Sequence, residues 1–125
     1  MHRELAFLVE DYGFRLVEDG RALRYASRSV TVEAVFDPRG EIELRTAPLD
    51  NPDPHATLAL SGMVGRASAA RVVELLATRL RGQDAALRGD SAFFDHLASV
   101  QREASKAWTA YYSGQGPEPR TGRLP

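Results

Sequence analysis

The chain of 125 residues contains no cysteine. Disulfides, cysteine-ligated zinc, iron–sulfur clusters and thiol nucleophiles are therefore excluded. Lysine is nearly absent: fifteen of the sixteen basic residues are Arg, and Lys106 is the exception. That bias, together with eighteen Ala, is read as genome base composition. Selection of Arg for bidentate recognition of carboxylate or phosphate is the alternative. An excess of one charge sign is missing too. Sixteen basic residues against seventeen acidic ones leave a net charge of −1, which argues against a nucleic-acid partner.

Long apolar runs are also lacking. The uncharged stretches 56–65 and 107–117 fall well short of the ~20 residues a membrane helix needs. The opening Met1-His2-Arg3-Glu4 reaches Glu10-Asp11 too soon for a secretory signal. The expectation is a soluble cytoplasmic protein without membrane contact. Catalytic signatures are missing as well. There is no GxSxG elbow, no phosphate loop ending in Lys-Ser/Thr, and no HExxH. His2, His55 and His96 have no partner at metal-ligand spacing, so no metal and no cofactor are expected.

What is present is a change of hydrophobic period along the chain. Leu5, Leu8, Val9 and Tyr12 recur at helical spacing, predicting a helix over 3–12 that Gly13 stops. From Phe14 to Ala47 the period becomes two. Asp19-Gly20, Ser27-Arg28-Ser29 and Asp37-Pro38-Arg39-Gly40 divide that stretch into four strands. Connections this short make neighbours antiparallel. Three prolines at 48, 52 and 54 then force a loop. The segment 56–65 reads either as a short helix or as an extended piece over the core.

Ser68 caps a helix to about Arg81, with Ala69, Val72, Val73, Leu76 and Leu80 on its core stripe. A short turn around 85–87 leads to Asp90 or Ser91, which caps the longest helix, about 91–113. Its stripe is Phe93, Leu97, Val100, Ala104, Ala107, Trp108 and Tyr111. The fold class is α+β: an N-terminal helix, a four-stranded antiparallel meander, and two or three C-terminal helices on one sheet face. Residues 1–113 form the domain, and 114–125 form a mobile tail.

Charge is unevenly spread. Residues 1–55 hold eleven acidic and seven basic groups; residues 56–125 hold six acidic and nine basic. Glu33 and Glu43 share a polar sheet face if the chain turns at 37–40. Glu33, Glu41 and Glu43, with Asp50 and Asp53 of the proline loop, form an acidic surface able to steer a partner. A solvated face crossed by pairs such as those of Arg45 is the plainer reading. Tyr112 lies off the stripe of its helix and is the aromatic candidate for an interface.

The segment Leu5-Ala6-Phe7-Leu8-Val9-Glu10-Asp11-Tyr12-Gly13-Phe14, followed by Tyr25, 30–36 and 41–45, resembles small uncharacterised bacterial helix-then-meander proteins. Some of these are similar to immunity proteins of polymorphic toxin systems. The resemblance covers about the first 50 residues and carries no catalytic motif or functional residue. It implies a non-enzymatic inhibitor that binds a toxin domain. The expected function is a small protein-binding domain using the acidic sheet face and the proline loop. Two alternatives stay open. One is an enzyme or ligand-binding protein with a site near 50–55, using Asp53, His55 and arginines. The other is a subunit of a larger assembly docking through Trp108, Tyr111 and Tyr112. A homodimer is compatible with all three.

Overall fold

The computed structural model describes residues 2–20, 22–65 and 68–119. Helix α1 (Ala6–Tyr12) is shorter than the pattern suggested, and Gly13 closes it in the left-handed conformation, φ 71°. Leu5, Phe7 and Leu8 are buried, whereas Val9 is exposed. A two-turn helix docked at one end of a sheet turns fewer side chains inward than its spacing implies.

Five strands follow: β1 (Arg15–Asp19), β2 (Ala22–Ala26), β3 (Val30–Phe36), β4 (Glu41–Pro48) and β5 (Leu58–Met63). They form one antiparallel sheet in chain order. The expected meander of four strands is thus corrected to five. The added strand is the segment that sequence left undecided. Its inward Leu58 and Leu60 alternate with Ala59 and Ser61. Ala supplies no polar contrast, so period two was weak there.

Inward-facing Leu23, Tyr25, Val30, Val32, Ala34, Ile42, Leu44, Leu58 and Leu60 make the sheet's half of the core. The helices supply the other half. Helix α2 (Ala69–Arg81) is capped by the Ser68 hydroxyl, which accepts from the Arg71 N–H at 3.2 Å. Its Val72, Val73, Leu76, Ala77 and Leu80 are buried, while Ala69 is exposed. Helix α3 (Asp84–Leu87) adds Ala86 and Leu87.

Helix α4 (Ser91–Tyr112) starts from an Asp90 carboxylate that accepts from the Ala92 N–H at 2.9 Å. It buries Phe94, Leu97 and Ala98. The expected stripe is therefore corrected. Phe94 replaces Phe93 as the anchor, and Ala107 and Tyr111 are exposed because the second half of α4 runs past the core. Among the described residues the core lies on one side of the sheet, and no helix covers the outer side.

Helix α1 is clasped by aromatic and charged contacts. The Tyr12 hydroxyl donates to Asp84 at 2.6 Å, and Arg81 lies over the Phe7 ring at 5.3 Å. Beyond α4, Gly114 and Gln115 donate to the Tyr111 and Ala110 carbonyls, so the start of the expected tail folds back on the helix. Residues 120–125 of that tail lie outside the described residues. Among the described residues, no helix is long and apolar enough to cross a membrane.

Candidate functional site

The uncovered outer face of the sheet gathers most of the charges marked in the sequence. Period two places Arg24, Glu33, Glu43 and Arg45 on the same side, and register decides which of them meet. Arg24 stands opposite Glu33, and Glu33 opposite Arg45. Glu18 stands opposite Arg24 beyond the bulge in β1. One rung across four strands therefore reads Glu18, Arg24, Glu33, Arg45.

The contacts follow that order. Arg24 donates to one Glu33 oxygen from Nη2 at 2.8 Å and from Nε at 3.3 Å, and its Nε lies 4.0 Å from Glu18. Arg45 reaches Glu33 at 4.0 Å and binds Glu43 on its own strand. The hydrogen bond to Glu33 raises the pKa of the Arg24 guanidinium. Glu43 does the same for Arg45.

This lattice changes the chemistry of the surface. Glu33 and Glu43 keep only 25% and 21% of their side-chain exposure, and both carboxylates face guanidinium groups. They do not act as bare negative charges. Cross-strand ion pairs at such exposure are worth under about 1 kcal/mol each. Their larger effect is to hold long side chains in one geometry. Glu41 is half-buried on the same face, two residues from Glu43, and no ion pair of it is found among the described residues.

The proline loop sits elsewhere and is tied to α4. Asn51 accepts from the Asp53 N–H at 3.0 Å, and Asp53 accepts from the His55 N–H at 2.9 Å, starting a 3-10 turn over Pro54–Ala56. Arg102 then binds the second Asp53 oxygen. The Gln101 amide donates to the His55 and Thr57 carbonyls at 2.8 and 3.0 Å. Asp53 is thus occupied as a cap and an anchor. Sequence reasoning missed Gln101 and Arg102, because a polar residue on a helix gives no sign of which loop it meets.

Asp50 is exposed, and with Ser29, Pro48, Asn51, Phe94 and Asp95 it lines a cavity of about 160 Å³. Neither His55 nor Asp53 lines that cavity; Asp53, the His55 N–H and Arg102 meet beside it in the loop's own hydrogen bonds. His96 is exposed on α4, and His2 pairs with Asp19 at 3.2 Å. Among the described residues, no group of three potential metal ligands occurs.

Tyr112 is 78% exposed at the end of α4. It stacks on Trp108 at 5.6 Å, and Trp108 meets Tyr111 edge-on at 5.9 Å. The three rings form a solvent-facing cluster apart from the charged face. The sequence-marked residues therefore divide into three places: Glu33, Glu41 and Glu43 on the sheet, Asp50 and Asp53 in the loop, and Tyr112 at the helix end. No family model matches the chain, and no curated protein and no solved structure matches it.

Proposed function

We propose that this chain is a small protein-binding domain that covers a partner protein with the open face of its sheet. The carrying observation is the lattice of Arg24, Glu33, Arg45 and Glu43 on a five-stranded face that no helix covers among the described residues. A surface of this kind is preorganised, because its long side chains are held before binding and lose less rotamer entropy on contact. Arg is also a frequent contributor to the energetic centre of interfaces. The toxin domain implied by resemblance is a partner of this class. The proline loop lies across α4 contacts and is a secondary surface.

With Glu18, Glu33, Glu41 and Glu43 beside only Arg24 and Arg45, the face keeps a negative excess, so its affinity for a basic partner falls with added salt, less steeply than if the carboxylates had no Arg beside them. The test is a photo-crosslinking amino acid placed singly at Val35, Ala47 and Thr78, and in place of Tyr112, in the source cells. One protein other than a second copy of this chain, captured from Val35 and Ala47 but not from Thr78 on α2, is the expected result. With that protein purified, Glu33→Arg should weaken binding at least tenfold. Capture of such a protein only from Thr78 would overturn the proposal. A second reading, docking through the aromatic end, is favoured by the exposure of Tyr112 and would appear as capture from that position alone.

A further inference from the structure

The two edges of the sheet are protected differently. The β1 edge carries Arg15, Glu18 and Asp19 and is bent by a bulge between Leu16 and Glu18. Charges and bulges are the usual means by which sheets block pairing with another chain. The β5 edge has neither. Its register with β4 runs unbroken from Thr46↔Leu58 to Glu41↔Met63, and no residue from 56 to 65 is charged.

Hydrogen-bond alternation shows which groups that edge presents. Val64 donates to the Gly40 carbonyl at 2.7 Å, which fixes the phase of the β4–β5 ladder. Gly62, Leu60 and Leu58 therefore exchange bonds with β4, and Ala59, Ser61 and Met63 turn N–H and C=O outward. Thr57 has the same phase, and its outward carbonyl is the one Gln101 caps. Among the described residues, no backbone bond reaches the outward groups of Ala59, Ser61 or Met63.

Beneath this edge runs a groove of about 410 Å³ lined by Gly62, Met63, Val72, Leu75, Leu76 and Arg79. Met63 is 58% exposed and Leu75 48%.

We propose that this edge is a homodimer interface, in which β5 pairs antiparallel with β5 of a second copy about a two-fold axis through Ser61. The pattern is self-complementary, as a two-fold contact requires. Outward residues 59, 61 and 63 are symmetric about 61, so Ala59 meets Met63 of the other copy and Ser61 meets itself. Every outward backbone group then finds a partner. Centring the axis on Ser61 lets these three residues satisfy one another without calling on Thr57, whose carbonyl Gln101 already caps.

The same axis sets the two α2 helices side by side, each placing Leu75 against the groove of the other. The edge strand carries no charge, and on α2 Arg71 is paired with Glu74 at 2.7 Å, while Arg79 also lines the groove. A six-residue strand and a 13-residue helix are each about 20 Å long. The buried face is then a few hundred Å² per subunit, at the low end for a specific interface, so the dimer should dissociate in the micromolar range.

Sedimentation or light scattering of the full chain up to about 300 µM should show the mass doubling. With no other cysteine present, Ser61→Cys is a clean probe. The opposed Cα atoms of such a pair lie about 5.5 Å apart, within disulfide range. Mild oxidation should give one covalent dimer, while Val17→Cys on the protected edge should not. Ser61→Pro removes only an outward N–H, and Ser61→Lys opposes two charges across the axis. Both should weaken dimerisation at least tenfold while the far-UV spectrum stays folded. A wild type that stays monomeric throughout would overturn the proposal. So would a dimer that survives both substitutions, or a Ser61→Cys chain that cross-links no faster than the Val17→Cys control.

Discussion

Replacing Gly62 with Ala tests how the fifth strand is held against α2. A Cβ built at Gly62 stands 2.9 Å from Val72 Cγ1 and 3.8 Å from Leu76. Carbon atoms pack at about 3.5–4.0 Å, so the neighbours must yield by roughly 0.6–1 Å. Little can move. The strand is paired with β4 along its length, and α2 is fixed by five buried side chains. Overpacking of this kind costs about 1–3 kcal/mol. The restricted unfolded chain of Ala relative to Gly returns about 0.4–1 kcal/mol. The clash wins, and Gly62→Ala should destabilise by about 0.5–2 kcal/mol.

The cycle with Val72→Ala isolates the cause. Val72→Ala alone loses about 1.5 kcal/mol of transfer energy plus a cavity term. In that background Gly62→Ala should be neutral or stabilising, giving a coupling of about 1–3 kcal/mol. Urea unfolding of the four chains followed by circular dichroism measures all the terms. If Gly62→Ala is as stable as the wild type, or the two substitutions simply add, the close approach of β5 and α2 is refuted.

Three further outcomes are expected. Thr46 is fully buried, and among the described residues its hydroxyl has no hydrogen-bond partner. Thr46→Val should therefore raise stability by up to about 1 kcal/mol in chemical denaturation, and a clear loss would reveal a partner for the hydroxyl. Asp53→Ala should cost about 1 kcal/mol by removing a cap, and Arg102→Ala less, since Arg102 is nearly half exposed. Because Asp53→Ala also removes the ion pair, equal losses would mean that the pair, rather than the cap, anchors the loop. The Tyr12 hydrogen bond, and after it Arg88, hold the Asp84 carboxyl below its usual range. Its stabilising share is present above the ordinary carboxylate pKa and is lost as pH falls through the lowered value. Acid titration of unfolding should show the wild type and Tyr12→Phe converging below about pH 4, and parallel curves would contradict this.

Much of the architecture was legible along the chain. The helix before Gly13, the turns at 19–20 and 37–40, the Ser68 cap and the break after Arg81 are local events, set by residues within a turn of one another. Strands 2 to 4 were legible because Leu23, Val30, Val32, Ile42 and Leu44 alternate with polar neighbours. The fifth strand was not, because Ala59 and Gly62 give no contrast between its faces. On α4, two neighbouring stripes were both apolar, and spacing alone could not choose Phe94 over Phe93. The marked Glu33, Glu41 and Glu43 lie on one sheet face, and only the register shows that Arg24 and Arg45 stand beside them and offset part of their charge.

Sequence by itself determined the helix and strand types, the one-sided burial of the sheet and the absence of cysteine chemistry. These depend on backbone preference and on the period of apolar residues, which are properties of neighbours in the chain. Only the tertiary structure decided that Arg24 meets Glu33, that Asp53 meets Arg102 49 residues away, and that the β5 edge lies bare beside α2. Such meetings depend on strand register and helix placement. Both are set by how all the apolar faces close over one core, and no local window of sequence contains that information.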